Sequence, residues 1–151
     1  LLGWDCTALD PDPRAAAHAR EHVGVRSVCA DFLGAEDIGR YSLITFNKVL
    51  EHFEDPVGVL RRAREHLQPG GIVYVELPDG DHAAREGFGR EEFFIDHWHV
   101  FSMASWTLLA EKAGFDVLCV ERLQEPSSKY TLRGCLRSRP RMTVQHLLGT
   151  R

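Results

Sequence analysis

The sequence has no apolar run long enough to cross a membrane and no surplus of basic residues. A membrane-spanning helix needs roughly 18 consecutive apolar residues, and no segment of the 151 residues approaches that length. The chain carries 18 basic against 22 acidic residues, for a formal charge of -4, which argues against general nucleic-acid binding. We therefore expect neither a membrane nor a nucleic acid as partner.

Cysteine is scarce, and its spacing indicates no metal site and no disulfide framework. The four cysteines lie far apart, with no CxxC pair, at Cys6, Cys29, Cys119 and Cys135. A zinc knuckle needs paired ligands close in sequence, and each of these residues stands in an apolar, strand-like context. With no signal-peptide pattern at the start of the sequence, we expect buried, reduced thiols in a cytoplasmic protein.

Short β-rich segments alternate with helical segments along the chain. The predicted strands comprise residues 4–9, 25–30, 41–46, 72–77, 115–123 and 130–136. Helices are expected between them, and residues 79–91 are expected to form a polar loop. Strand, helix and strand at this spacing predict βαβ units. The fold class is therefore α/β, doubly wound, with a mainly parallel sheet and helices on both faces.

Capping signals mark where the helices begin. Asp12-Pro13 and Asp55-Pro56 each place an acidic N-cap before a proline at the first helical position. Apolar residues follow Asp55 at helical spacing, as far as Leu67. Ser102 caps a further helix, whose apolar stripe we interpret as core packing.

Two acidic residues follow the first two strands, where ligands of such sheets bind. Asp10 is suited to accept hydrogen bonds from the two hydroxyls of a ribose, although the sequence Asp-Pro-Asp-Pro is also typical of a turn. Asp31 can accept from an adenine amino group while the backbone N–H of Phe32 donates to a ring nitrogen. A lone aspartate after a strand is usually a turn residue.

A longer motif begins at the end of the third strand. VLEH at residues 49–52 is followed by DP at 55–56 and by LQPGG at 67–71, just before a strand. This series resembles the class I S-adenosylmethionine-dependent methyltransferases and is far more specific than a single Gly-rich loop. The resemblance implies a Rossmann-like fold and S-adenosylmethionine as cofactor. It also places Asp10 and Asp31 where that family has its ribose-binding and adenine-binding acids.

The segment FFIDHWHVFS at residues 93–102 resembles a branch of the family that acts on small metabolites and sugars. In that branch a His-rich stretch lies over the methyl-donor pocket, which implies His99, and then His97, as the catalytic base. The alternative is a structural role in an aromatic cluster. Asn47 and Glu51 are expected to bind the cofactor, although Glu51 is equally explained as capping a turn. No third ligand accompanies the two histidines in sequence, so we predict no metal site.

One feature of the family is missing from the sequence. The family binds the methionine end of its cofactor on a first strand and a loop of the type E/D-x-G-x-G, and the sequence contains no such loop. We therefore expect an N-terminally truncated methyltransferase with weakened or no cofactor binding. Residues 1–137 would form the domain without its first βα unit, and 138–151 an unassigned tail. In the family that strand separates the strands expected here at 4–9 and 41–46, so a gap or direct pairing is expected.

The expected activity is methyl transfer to a small-molecule acceptor, such as a sugar or another metabolite, with O-, N- and C-methylation all open. Two other classes remain as alternatives. The missing loop favours a non-catalytic remnant or an interaction module. A nicotinamide-dependent oxidoreductase also reads ribose with an acid after its second strand, but it has no use for VLEH and PGG. The sequence carries no signal of oligomeric state.

Overall fold

The computed structural model describes residues 3–87, 89–94 and 96–140, and the chain divides into two compact units, 1–40 and 41–151. The first unit contains β1 (Thr7–Asp10), α1 (Pro13–His18), a π-helical turn and β2 (Arg26–Cys29). β1 and β2 pair in parallel. This is the βαβ unit that the sequence predicts.

Local chemistry explains the helix of the first unit. The Asp12 side chain accepts a hydrogen bond from the backbone N–H of Arg14 at 2.8 Å, and Pro13 occupies the first helical position. Gly24 ends the π-helical turn Ala19–Val23 with a φ of 78°, a left-handed conformation that costs glycine little. Capping at one end and a glycine at the other therefore set the length of the connection between β1 and β2.

The second unit contains four strands and three α-helices. In chain order they are β3 (Tyr41–Asn47), α2 (Pro56–Glu65), β4 (Leu67–Pro78), α3 (Gly80–Glu86), α4 (Met103–Lys112), β5 (Phe115–Gln124) and β6 (Tyr130–Ser138). The strand order in the sheet is β3-β4-β6-β5. β3 and β4 are parallel, whereas β6 runs antiparallel to both of its neighbours. The α/β fold class is as predicted. The expectation of a mainly parallel sheet is wrong for this unit, where two of the three strand pairs are antiparallel, because β6 follows β5 directly and folds back along it as a hairpin.

The core of the second unit lies on one face of this sheet. Every second residue of β4 from Gly71 to Leu77 is buried, and Trp106 of α4 is 1% exposed. The indole packs so closely on β6 that a Cβ added to Gly134 would lie 2.7 Å from Trp106 Cη2. A glycine at position 134 is therefore needed for the contact between α4 and the sheet.

Two predicted segments differ from the structure. Residues 80–86 form α3 rather than a loop, because the Asp79 carboxylate accepts the backbone N–H groups of Asp81 and His82 and so starts a helix. Leu67 belongs to β4 rather than to the preceding helix. The chain leaves α2 at His66, whose carbonyl accepts the Tyr41 N–H at 2.8 Å, and pairs at once with β3.

The strands expected to flank a missing strand lie in different sheets. β1 pairs with β2, and β3 pairs with β4, so the expected alternative of direct pairing between β1 and β3 is wrong for the described residues. The predicted tail begins inside β6, which includes Ser138, and residues 141–151 of that tail lie outside the described part of the chain.

Two further expectations concern the burial of the cysteines and the lack of a membrane-spanning helix. Cys6, Cys29 and Cys119 are exposed and Cys135 is partly exposed. The expectation of buried thiols is therefore wrong, because Cys6 precedes β1 and the other three cysteines lie at strand positions that the rest of the chain does not fully cover. Within residues 3–87, 89–94 and 96–140, no helix is long and apolar enough to cross a membrane.

Candidate active site

A cavity of about 240 Å³ lies within the second unit, where β3 and β4 end and β6 begins. The carboxyl ends of parallel strands are the expected place for a ligand in such a sheet. The lining is mostly polar and charged, and consists of Lys48, Glu51, His52, Pro78, Glu91, Glu92, His97, Lys129, Tyr130 and Thr131.

The short 3-10 turn Leu50–His52 and the histidine-rich loop are held together by backbone hydrogen bonds. The carbonyl of Glu51 accepts the N–H groups of Trp98 at 2.9 Å and of His99 at 3.3 Å. The His52 ring is also tied to this loop, because its Nδ1 lies 3.1 Å from the carbonyl oxygen of Asp96. The VLEH motif and the DHWH segment thus form one wall of the cavity.

The Glu51 side chain is the most unusual group in this wall. The residue is 1% exposed, and neither carboxylate oxygen has a hydrogen-bond partner among the residues that the structure describes. Burial raises the pKa of the Glu51 carboxyl above its ordinary value, and the nearby His52, His97 and Lys48 oppose this in part. A buried carboxylate without partners is costly, and such groups concentrate at functional sites.

Two imidazoles accompany this carboxylate in defined tautomers. His97 Nδ1 lies 2.9 Å from the carbonyl oxygen of Glu92, just as His52 Nδ1 lies against Asp96. A carbonyl only accepts, so each Nδ1 carries the proton and donates it. In the neutral ring this leaves Nε2 as a proton acceptor or a metal ligand. The two rings meet edge to face, with their centroids 4.8 Å apart.

The three side chains form a compact set of donors. One ligand atom from each of Glu51, His52 and His97 lies within 4.8 Å of the other two. Two imidazoles and a carboxylate, with backbone carbonyls behind the imidazoles, are a set that can hold a divalent transition-metal ion. We predicted no metal site because the sequence places no third ligand beside His97 and His99. In the structure Glu51 and His52 lie next to His97, so three possible ligands are close together. Without an ion, the same groups form a proton-accepting cluster.

The remaining charges of the cavity are paired within the protein. Lys48 forms an ion pair with Glu125, and Lys129 forms one with Glu91. Glu92 is held by the Arg90 guanidinium at 2.8 Å, which lowers the pKa of that carboxyl. Glu51 is therefore the charged lining residue without an ion-pair partner in the described part of the chain.

An ion pair with a buried carboxylate supports the sheet end of the cavity. The Asp79 side chain directly follows β4, is fully buried, and pairs with Arg122 of β5 while it caps α3. The backbone N–H of Asp79 donates to the carbonyl of Tyr130 at 3.0 Å. These bonds fix the end of β4 against the start of β6, where Tyr130 and Thr131 enter the cavity lining.

The predicted cofactor-binding residues of the first unit lie at strand ends, as expected. Asp10 ends β1, and its Oδ1 accepts the N–H of Asp12 at 2.8 Å. Asp31 follows β2, and its Oδ1 accepts the N–H of Leu33 at 3.0 Å. Phe32 lies in this turn, between Asp31 and Leu33, and is half-buried. Their roles in binding stay predictions.

The predicted residues of the second unit separate into two groups. Glu51 and His97 line the cavity. Asn47, the last residue of β3, is exposed, and His99 Nε2 lies 3.0 Å from the carbonyl oxygen of Glu54. Neither of these two is among the lining residues, and the roles assigned to all four stay predictions. Sequence reasoning missed Glu92, Tyr130 and Thr131, which reach the cavity through tertiary pairing and carry no local signal.

Comparison with known proteins places the chain in a family. Residues 1–120 match the family model described as a methyltransferase domain. The chain is 37% identical over 81 residues to a ubiquinone biosynthesis O-methyltransferase of Caulobacter vibrioides, and 33% identical to the enzyme of that name from Xanthomonas campestris. Each match covers 49% of this chain, and 32% and 34% of the respective relatives. The matched region thus spans about a third of these curated relatives.

Solved structures share the fold at low identity. An N-methyltransferase of Bradyrhizobium japonicum in complex with S-adenosylhomocysteine aligns with a TM-score of 0.66 and 20% identity, over 89% of this chain and 66% of that one. A didemethyltoxoflavin methyltransferase of Burkholderia thailandensis aligns with a TM-score of 0.68 and 20% identity, over 91% and 63%. The predicted Rossmann-like α/β fold is therefore confirmed, and the chain belongs to the methyltransferase domain family to which its VLEH and PGG motifs point.

Proposed function

We propose that the protein transfers a methyl group from S-adenosylmethionine to a hydroxyl of a small, uncharged acceptor. Membership of the methyltransferase domain family supports the reaction class, and the O-methyltransferases among the relatives support oxygen as the acceptor atom. The observation that carries the proposal is the buried Glu51 carboxylate, which has no hydrogen-bond partner in the described residues and faces a cavity at the strand ends.

The residues present fit part of this cofactor. Asp10 and Asp31 are carboxylates held in fixed orientation at the ends of β1 and β2, which suits ribose hydroxyls and an adenine amino group. The sequence has no E/D-x-G-x-G loop, so we assign no residue to the methionine half. When bound, the cofactor supplies an electrophilic methyl group on its sulfonium.

Glu51 is proposed to accept the proton of the acceptor hydroxyl. A neutral hydroxyl is a poor nucleophile until a base removes its proton. Burial gives Glu51 a raised pKa, which makes it a stronger base than an ordinary glutamate. His97, whose Nδ1 proton is committed to the Glu92 carbonyl, can receive a proton at Nε2 and pass it towards solvent. Both residues would also hold the hydroxyl in place.

The charge balance of the cavity favours an uncharged acceptor. Lys48, Lys129 and Glu92 already have partners of opposite charge on the protein. An anionic acceptor would enter without a free counter-charge and would lose hydration without compensation, whereas a cationic acceptor would pair with Glu51 and so occupy the proposed base. A cavity of about 240 Å³ also suits an acceptor of single-ring size. A neutral ring with a hydroxyl group satisfies both conditions.

The test measures transfer of labelled methyl from S-adenosylmethionine to three catechols of different charge. Catechol itself is neutral, 3,4-dihydroxybenzoate is anionic and dopamine is cationic. We expect the highest kcat/KM for catechol, with losses of about tenfold for both charged rings. Preference for a charged ring would contradict the proposed acceptor class.

A calorimetric titration separates a failure of binding from a failure of chemistry. S-adenosylhomocysteine is titrated into this chain and, if the gene encodes residues upstream of Leu1, into a version extended by them. Micromolar binding by the extended version, with weaker binding by this chain, is expected from the missing loop. Binding with no transfer to any neutral hydroxyl would favour the non-catalytic alternative. Binding by neither folded protein would overturn the proposal.

A matched pair of histidine variants tests which ring acts. His97→Asn removes the ring that lines the cavity, whereas His99→Asn removes one that lies outside its lining. We expect His97→Asn to lower kcat by about tenfold to a hundredfold and to change the pH dependence of kcat, with KM for the cofactor unchanged. The larger loss in His99→Asn would instead support the residue that the family resemblance ranks first.

A further inference from the structure

Two thiols of the second unit face each other across neighbouring strands. Cys119 of β5 lies directly opposite Cys135 of β6 in the antiparallel ladder. An irregularity between Val117 and Cys119 shifts the register by one residue, and this shift places the two cysteines opposite each other. Opposed residues of an antiparallel pair have their side chains on the same face of the sheet, so the two thiols are neighbours. Both are free cysteines in the structure.

The backbone geometry of such a pair suits a disulfide. Directly opposed residues of an antiparallel pair have Cα atoms about 4.5–5.5 Å apart, inside the range of about 4.4–6.8 Å that disulfides span. A bond between the two sulfur atoms therefore needs little backbone movement. The other two cysteines, Cys6 and Cys29, belong to the first unit.

The two thiols differ in access. Cys119 is exposed, whereas Cys135 is partly buried. Burial raises the pKa of the Cys135 thiol, and its hydrogen bond with Cys119 adds to the rise. A reagent in solution therefore meets Cys119 first, and Cys135 is placed to react second with a sulfur already attached there.

We propose that Cys119 and Cys135 are a reversible oxidation site that small disulfides, such as glutathione disulfide, convert into an intramolecular disulfide. The Cys119 thiolate attacks one sulfur of the small disulfide, forms a mixed disulfide and releases one small thiol. The Cys135 thiolate then attacks the Cys119 sulfur and releases the second small thiol. The protein loses two electrons and two protons, and the small disulfide gains both as two thiols.

The new bond would tie β5, at the end of the sheet, to β6. The intervening residues 120–134 include Tyr130 and Thr131, which line the cavity. A covalent tie between the strands restricts the unfolded chain. The oxidised protein is therefore expected to melt at a higher temperature than the reduced one, and a small thiol reverses the change.

The test uses the full chain with Cys6→Ser and Cys29→Ser, so that only the proposed pair remains. Treatment with glutathione disulfide is expected to remove both free thiols, lower the mass by two hydrogens and link the peptides that contain positions 119 and 135. Adding Cys135→Ser is expected to trap one glutathione on Cys119. Adding Cys119→Ser is expected to slow the reaction strongly, because the exposed thiol is gone.

Each other outcome contradicts the proposal. Two attached glutathiones, a disulfide between two chains, or two unreacted thiols in the folded double-serine protein would each show that the pair does not close. The same treatment in denaturant is the control for reagent activity. Circular dichroism before treatment verifies that every variant is folded. A disulfide that forms only in denaturant would also overturn the proposal.

Discussion

The first unit of the chain is defined by caps and turns, the second by packing. In residues 3–40 the fully buried apolar residues are Ala16, Ala35 and Ile38, and the strands are at best half-buried. In the second unit β4 buries alternate residues from Gly71 to Leu77, and large residues such as Trp106 and Phe115 are fully enclosed. Most of the apolar burial that stabilises the fold therefore belongs to the second unit.

The same division separates two kinds of functional group. Asp10 and Asp31 of the first unit are carboxylates in turns, partly or fully open to solvent, with ordinary hydrogen bonds to nearby backbone. Glu51 of the second unit is a buried carboxylate with a perturbed pKa. A group that only accepts hydrogen bonds from a ligand needs no burial, whereas a group that moves a proton benefits from it. We therefore predict a hydrogen-bonding role for Asp10 and Asp31 and a proton-accepting role for Glu51.

The largest expected effect is a loss of stability, and it should distinguish two tryptophans, one in each unit. Trp106→Ala removes a side chain that is 1% exposed, and Trp4→Ala removes one that is 65% exposed. We expect Trp106→Ala to lower the free energy of unfolding by about 3–5 kcal/mol, because it leaves a cavity in the core. Trp4→Ala should change it by less than about 0.5 kcal/mol. Urea unfolding followed by circular dichroism measures both, and similar losses in the two variants would contradict the comparison.

The next effect distinguishes the two carboxylates by kinetics. We expect Glu51→Gln to lower kcat by about a hundredfold or more, because the amide cannot accept the hydroxyl proton. Asp10→Asn should instead raise the KM for S-adenosylmethionine by about tenfold, through loss of charge-assisted hydrogen bonds. Initial rates at saturating acceptor measure both constants. A loss confined to KM in Glu51→Gln would show that Glu51 only binds.

Much of the fold could be predicted because its signals are local. Asp12-Pro13, Asp55-Pro56 and Ser102 begin α1, α2 and α4 as expected, since a cap and its helix are adjacent in sequence. α3 was missed because its cap, Asp79, also serves as the buried partner of Arg122, some forty residues later in the chain. An aspartate after a strand can begin a turn or a helix, and the sequence does not distinguish the two when the contact that holds the aspartate is distant in the chain.

The candidate site divides in the same way. Glu51 and His97 were predicted from motifs, and both line the cavity. His52 lies next to His97 because the histidine-rich loop folds back onto the 3-10 turn. Tyr130 and Thr131 line the cavity because β6 pairs with β4. Such contacts are set by tertiary pairing, which no local pattern carries. The prediction of buried cysteines was wrong for the same reason, because the burial of a strand residue depends on which face of the sheet is covered.

A smaller effect compares helix caps in the two units. Ser102 forms a capping box at α4, and Asp12 caps α1. Each alanine substitution should cost its own helix about 1 kcal/mol. Because α4 packs on the main core through Trp106, we expect Ser102→Ala to lower the urea midpoint of the whole second unit. Asp12→Ala should act mainly on hydrogen exchange in α1, and a loss of protection in β4 from that variant would contradict this.

The smallest effect is a pH dependence of stability that Glu51 imposes on the second unit. Its pKa is raised above 4.5 in the folded protein by burial, so the folded state holds the proton more tightly than the unfolded state. The contribution of Glu51 is therefore fully present below about pH 4.5 and is lost as the pH rises through the raised pKa. Relative to Glu51→Gln, the free energy of unfolding of the natural protein should fall as the pH rises from about 4.5 through the raised pKa of Glu51.

Urea midpoints of the natural protein and of Glu51→Gln at several pH values between about 4.5 and 8 measure this difference. Subtracting the variant removes the titration of groups that do not interact with Glu51, whereas His52 and His97, which interact with its charge, contribute to the difference. Glu54→Gln, at an exposed position three residues away, is the matched control and should show no trend. A difference that grows with pH would mean that the folded state favours the Glu51 carboxylate, as a bound cation would cause. The sign of the slope thus distinguishes a proton-accepting cluster from a metal-holding one.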